Sequence, residues 1–385
     1  EQVTDKRGIE EADEKFNIIN LVCTGAMMKI FPCRNIAGKT LEWYSQSDQL
    51  PQDMDNDKWV FIRKSMSYVN EMIVMKKYND ACLLLEKIKK YQQKECDGLL
   101  PPDNKFKAEK IYNQFDYSKS VAMACICIGL ICFIYYCHCM ASQKRTSRKA
   151  IIILNILLWI VFTYLSAAIC LRGYVSNHLP LSNGFETMQF MAWCTLLLTF
   201  LLQRKFAMLL PFGFLLCGLT LMVSMLGESN PQITQLMPVL QSPLLSIHVV
   251  VIMIAYSLLA FIMLNGVTAV ILHQSQKECK EQIERLQIIS QIILYPAIFL
   301  LAIGIFIGAV WANVSWGRYW GWDPKEVWAL ITMLVYALAL HPRSLPWFHR
   351  TMFFHVFCIT AFITVLITYF GVNFLLGGMH SYANG

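Results

Sequence analysis

The sequence predicts an all-α fold. A polytopic membrane helix bundle of about eight spans follows a small, mostly helical extracytoplasmic segment at the N-terminus. Three observations predict it. The 385 residues are 56% hydrophobic and 15% charged, against about 25% charged in an ordinary soluble domain. The charges are unevenly divided: residues 1–118 hold 18 Lys/Arg and 19 Asp/Glu, and residues 119–385 only 15 and 7. In that second part, apolar runs long enough to cross about 30 Å of hydrocarbon recur, without the alternation of barrel strands. These features exclude an ordinary soluble enzyme, a disordered chain and a nucleic-acid binder with a basic face. The chain has no initiator Met and does not open on a charged region followed by an apolar one. It therefore reads as a processed product or a piece of something longer.

Taken in order, the elements follow from local signals. In the segment 1–118, Asn56-Asp57 opens a helix running to about Lys77, and Asn79-Asp80 opens another to about Glu95. Pro101-Pro102 breaks the chain before a third short helix ending near Phe115. Cys23, Cys33, Cys82 and Cys96 lie here, with no pairing legible from spacing. The spans fall near 119–140, 150–171, 184–203, 206–226, 244–272, 287–311, 326–341 and 351–371, the seventh being the shortest. The connections 141–149, 204–205, 273–286 and 342–350 carry eleven Lys/Arg, and the alternate ones only Arg172, Arg318 and Lys325. This asymmetry puts the first set in the cytoplasm and residues 1–118, the other connections and the C-terminus outside.

Chemistry concentrates in one outer connection. Trp311, Trp316, Trp320, Trp322 and Trp328 fall within 18 residues, interspersed with Gly317 and Gly321. An interfacial aromatic belt would spread its rings over many helix ends. A concentrated set of flat faces, with glycines allowing close approach, suits a large planar apolar ligand. Asp323-Pro324-Lys325-Glu326 and Asn183-Gly184-Phe185-Glu186 read first as helix caps. Among eight histidines, His248 lies just inside the outer end of the fifth span and His380 in the outer tail. Two imidazoles on the side of a Trp-rich loop suggest axial ligation of haem iron, with Arg318, Lys325 or Arg172 pairing with propionates. His341 lies at the inner end of the seventh span; His138, His178, His273, His349 and His355 sit near loop boundaries and read as solvated. Cys137-His138-Cys139 presents a poor chelate, because positions i and i+2 of a helix point to different faces. The chain lacks Cys-x-x-Cys-His and does not read as a c-type cytochrome itself.

Trp316-Gly-x-x-Trp320-x-Trp322-Asp323-Pro324-Lys-Glu resembles the WWD signature of haem-handling proteins of cytochrome c maturation. Gly173-Tyr174-x-Ser176-Asn177-His178-x-Pro180-Leu181-Ser182-Asn183 resembles an outer loop of the same group, and Gly377-Gly378-Met379-His380 supplies an outer histidine. Residues 150–385, with the WWD loop at 311–328, look like the CcsA/ResC protein of the system II pathway. Residues 1–118 look like the tail of its partner CcsB/ResB, and 119–140 like that partner's last span. The whole is similar to the C-terminal piece of a fused CcsBA-type cytochrome c synthase. The resemblance implies haem b as substrate and ligand, held by His248 and His380 against Trp311, Trp316, Trp320, Trp322 and Trp328, with Asp323 and Arg318 beside it. It implies His341 as ligand of a second, in-membrane haem site. No catalytic residue is implied beyond these ligands. The partners implied are apocytochrome c (CxxCH), the CcsB/ResB-like N-terminal part, thiol-reducing thioredoxin-like proteins and membrane lipid, without nucleic acid. The location implied is the bacterial inner membrane. A haem exporter, or a haem-transfer protein of the system I type without ligase activity, is the alternative.

Overall fold

The computed structural model describes residues 6–34, 40–52, 54–206, 208–226, 231–233, 242–275 and 279–376. The chain divides into two compact units, Glu1–Asp103 and Asn104–Gly385.

The first unit contains helix α1 (Lys6–Cys23), strands β1 (Phe31–Arg34) and β2 (Leu41–Tyr44), and helices α2 (Asn56–Val74) and α3 (Tyr78–Cys96). The helices α2 and α3 start where the Asn-Asp signals place them. Helix α3 ends because Asp97 and Gly98 both adopt the left-handed conformation, which stops i→i−4 bonding. Phe31, Ile62, Val69 and Ile88 form the core, closed by Phe61, Leu84 and Tyr91. The hairpin, with Phe31 opposite Tyr44, is an addition to the helical expectation. Its strands have four residues each, and β1 contains Pro32, so no alternating run announces it. Three bonds lay β1 along α3: Gln92 Nε2 donates to Ile30 O at 2.8 Å, Tyr91 Oη to Pro32 O at 2.9 Å, and Arg34 to Asp97 at 3.5 Å.

The helix α4 (Asp103–Gln114) leads into eight apolar helices: α5 (Ser118–Ala141), α6 (Arg148–Ser176), α7 (Gly184–Leu202), α8 (Leu209–Ser224), α9 (Pro243–Ser275), α10 (Lys280–Trp316), α11 (Pro324–Leu338) and α12 (Thr351–Leu366), the last continued by a π-helical turn to Leu376. Among the described residues, six of these are long and apolar enough to cross a membrane; α8 and α11 are shorter. The protein is a multi-pass membrane protein. All eight expected runs are helices, with shifted ends that have local causes. Helix α8 places Pro211 in its first turn, where no donor is needed. Helix α10 starts earlier than expected, because the polar turn carrying Glu281 and Arg285 is helical and the two side chains pair at 2.5 Å. Helix α11 starts at its cap and stops before His341, the residue preceding Pro342, which disfavours helix.

Two cores share α7 and α9. One gathers α5, α6, α7, α8 and the middle of α9 around Leu158, Leu196, Phe212, Phe214 and Phe261. The other gathers α7, α9, α10, α11 and α12 around Leu259, Leu294, Tyr336 and Phe354. Glycines set the closest approaches. A Cβ on Gly129 would lie 2.7 Å from Leu215 N, and one on Gly218 2.9 Å from Ala122 O, so α5 and α8 touch nearly backbone to backbone.

Candidate functional site at the loop end of the bundle

The α10–α11 connection marks one end of the bundle, called here the loop end. Helix α10 delivers Trp311, Trp316 and Gly317 to it. Gly317 has φ +73° and its N–H donates to Asn313 O, closing the helix in a left-handed cap. Trp311 is buried and Trp316 exposed, and their rings meet edge to face with centroids 6.2 Å apart. Trp320 and Trp322 make a second perpendicular pair at 6.0 Å. Trp322 is 76% exposed and has φ 55°, a strained backbone for a bulky residue. The Arg318 guanidinium lies over Gly321, where a Cβ would come within 3.3 Å of its Nε.

The reason the loop holds this shape is the cap of α11. The Asp323 carboxylate accepts from Lys325 N at 3.1 Å, and the Glu326 carboxylate accepts from Gly321 N at 2.8 Å and Asp323 N at 3.3 Å. Asp323 is buried and is the N-cap residue, as its sequence context indicated. Trp328, one turn on, is half-buried; its carbonyl accepts from the Thr332 hydroxyl at 2.8 Å.

His248 belongs to this end. Its Nδ1 lies 2.7 Å from Gly304 O of α10. A carbonyl only accepts, so Nδ1 carries the proton, and in the neutral ring the lone pair is on Nε2. That is the state a metal-ligating imidazole adopts, with its other nitrogen fixed by a carbonyl. Gly304, Gly308 and Trp311 fall at i, i+4 and i+7 of α10, on one face. The residues present therefore fit an imidazole ligand seated on the α10 face that leads to the Trp connection.

Other expected residues are elsewhere. His341 lies in an exposed turn after α11, at the end opposite the loop end, so it does not join His248. His380 lies outside the described residues. Arg172 is not a surface cation: it is buried, and its Nε donates to Glu186 at 2.6 Å, its Nη1 to Tyr112 Oη at 3.2 Å and its Nη2 to Pro231 O at 3.0 Å. The second Glu186 oxygen accepts from Ser182 N at 2.8 Å and Ser182 Oγ at 2.5 Å. His355, read as solvated, is fully buried with Nε2 3.2 Å from Ile283 O. Its position looked like a loop boundary because the packing of α10 over the start of α12 leaves no mark on the local sequence.

A model of the family "Cytochrome C assembly protein" matches residues 181–380. The chain belongs to this family. Curated relatives agree. The chain is 31% identical over 379 residues to Protein NrfI of Wolinella succinogenes, covering 97% of this chain and 42% of that protein. It is 35% identical over 253 residues to the cytochrome c biogenesis protein CcsA of Chlamydomonas reinhardtii, covering 63% of this chain and 71% of that one. It is 31% identical to the CcsA of Prochlorococcus marinus MIT 9301, 87% of which it covers. The chain thus spans less than half the length of NrfI. As a CcsA-type cytochrome c biogenesis protein it carries the family match across α7–α12, the helices that hold His248 and the Trp loop.

Proposed function

We propose that this chain binds haem b as substrate at the loop end, on the extracytoplasmic face of the bacterial inner membrane, and presents it to apocytochrome c. His248 and His380 are the axial ligands. Trp316, Trp320, Trp322 and Trp328 bury the macrocycle, Trp311 backs Trp316, and Arg318 pairs with a propionate. Asp323 serves the site by capping α11 beneath the loop. The observation that carries the reading is the hydrogen bond from His248 Nδ1 to Gly304 O, which sets the proton on the nitrogen away from the iron. The basic connections on the opposite side of the bundle support the orientation.

The chemistry is an addition: each thiol of the CxxCH motif adds S and H across a haem vinyl group, so no oxidant is consumed. The thiols come from the apocytochrome, kept reduced by thioredoxin-like proteins. The chain's own residues orient the ring, exclude water from its faces and leave the vinyl edge accessible. His341, at the cytoplasmic end, is the ligand of a second haem site that a CcsB/ResB-like N-terminal part completes.

The test is the absorption spectrum of the detergent-purified protein from haem-replete cells, beside His248→Ala and His380→Ala. A reduced low-spin bis-histidine spectrum, lost or converted to high-spin in both variants, is expected. Colourless wild-type protein, or variants with unchanged bands, would overturn the reading. Bound haem without thioether formation on a supplied CxxCH apocytochrome would leave a haem exporter or a system I type transfer protein.

A further inference from the structure

The helix α10 carries Gly304-Ile305-Phe306-Ile307-Gly308, a small-x-x-x-small pair on one face. The antiparallel helix α9 meets that face with His248 and Ile252, also four residues apart. The fit is close at both positions. A Cβ on Gly304 would lie 2.5 Å from Ile252 Cδ1. A Cβ on Gly308 would lie 2.7 Å from His248 Cε1, 2.8 Å from Nδ1 and 3.4 Å from Nε2. The edge of the imidazole that holds both nitrogens therefore rests on the bare backbone of Gly308, while Nδ1 reaches the carbonyl of Gly304 at 2.7 Å.

From this geometry we infer that Gly304 and Gly308 are positioning residues for the haem ligand: together they form a socket that fixes the tautomer and tilt of His248. Gly304 has no side chain to hold α9 off, so its carbonyl comes within reach of the ring. Gly308 leaves the space the ring occupies. A methyl group there displaces the ring from the carbonyl and stands beside Nε2, where the iron must approach. The inference rests on His248 being a haem ligand and names what makes it one.

Gly308→Ala is the deciding variant and Gly304→Ala, alone and with Ile252→Ala, its packing control. The Gly304 methyl would meet Ile252 rather than the imidazole, so trimming Ile252 makes room for it and restores the wild-type spectrum. Gly308→Ala is expected to convert the reduced low-spin bands to a high-spin spectrum, or to lower haem content at least tenfold. Added imidazole returns its bands to low spin by replacing the displaced ring, and Ile252→Ala does not rescue it. Wild-type bands in Gly308→Ala overturn the inference when His248→Ala loses them. Unchanged bands in His248→Ala overturn the haem-ligand reading instead. Equal losses in both glycine variants, with Ile252→Ala rescuing each, reduce the glycines to helix packing and overturn the socket. Should Gly308→Ala not accumulate, nitrogen-15 shifts of His248 in haem-free wild-type protein decide: protonated Nδ1 with unprotonated Nε2 is expected, and the opposite tautomer overturns the socket.

Discussion

Arg172 and Glu186 form an ion pair with 1% and 2% of their side chains exposed. Removing one partner strands the other charge, which costs about 3–5 kcal/mol, whereas replacing both with apolar groups is often close to neutral. Arg172 also packs its guanidinium 5.3 Å from the Phe185 ring centroid and 5.8 Å from that of Tyr112. Arg172→Met should therefore lower the thermal midpoint of the detergent-solubilised protein steeply, and Arg172→Met with Glu186→Met should recover most of the loss. A double variant no better than the single one would show that the pair itself, not the stranded charge, carries the stability. At Asp323 the sequence left two roles open, cap and haem neighbour, and the structure shows the cap. Asn caps as well as Asp, and Ala costs about 0.5–2 kcal/mol. Asp323→Asn should keep the wild-type haem spectrum, and Asp323→Ala should lower both stability and haem retention. Loss of haem in Asp323→Asn would return a direct role to the carboxylate. Caps were legible because their partners lie within four residues. The Gly304–Gly308 spacing was equally visible, but its meaning depends on which ring α9 lays over it. The burial of His355 likewise depends on α10.

The apolar helices could be read from length and hydropathy, because the bilayer demands both. Which faces meet could not. Nothing in Gly218 alone announces that its missing side chain lets α5 lie against α8. A methyl there would come within 2.9 Å of Ala122 O and Ile126 N, both backbone atoms that cannot rotate away. Gly218→Ala should therefore destabilise by about 1–3 kcal/mol through overpacking, outweighing the roughly 1 kcal/mol that Ala gains over Gly in a helix. At Gly173 the nearest atom to a new methyl is 3.4 Å away, so Gly173→Ala should be neutral or better in the same melting experiment. In the first unit, the hairpin escaped sequence reading for want of length, yet it buries Cys33 against the end of α3, where Cys96 is also buried. Burial, with Glu95 nearby, raises the Cys33 thiol from its ordinary 9.0, and burial raises Cys96 as well. A raised pKa in the folded state means that stability is intact below pH 9 and is lost as pH climbs through the folded values. Cys33 and Cys96 should alkylate more slowly than exposed Cys23 and Cys82 at pH 8, with the difference shrinking as this unit loosens above pH 9. Equal rates at pH 8 would contradict their burial.

At the scale of the whole molecule, the charge pattern carries what no single contact does: a prediction of how the bundle is oriented. Residues 119–385 hold 22 formal charges, and burying even one Lys or Arg at mid-span costs about 2.5–3.5 kcal/mol on insertion, so nearly all of them gather at the helix ends. Eleven basic residues lie in or within two turns of the connections α5–α6, α7–α8, α9–α10 and α11–α12, and three in or beside the alternate set. The rule counts Lys and Arg rather than net charge, so the Arg172–Glu186 pair on one side and the Arg285–Glu281 pair on the other leave the bias as it stands. The loop end, with His248 and the Trp connection, should therefore face away from the cytoplasm. Reporter fusions truncated in the 141–149 and 342–350 connections should be active only as cytoplasmic reporters, and fusions after Arg318 only as exported ones. The reverse pattern would place His248 on the side where haem is made and where no apocytochrome thiol waits. The loop would then be an entry site, and presentation of haem to an apocytochrome would have to occur at the other end, near His341. His248 and His341 lie at opposite ends of the bundle, the latter beyond α11, so inverting the bundle exchanges those two histidines between faces. The fusion pattern thus decides which of the two ends can be the place of attachment.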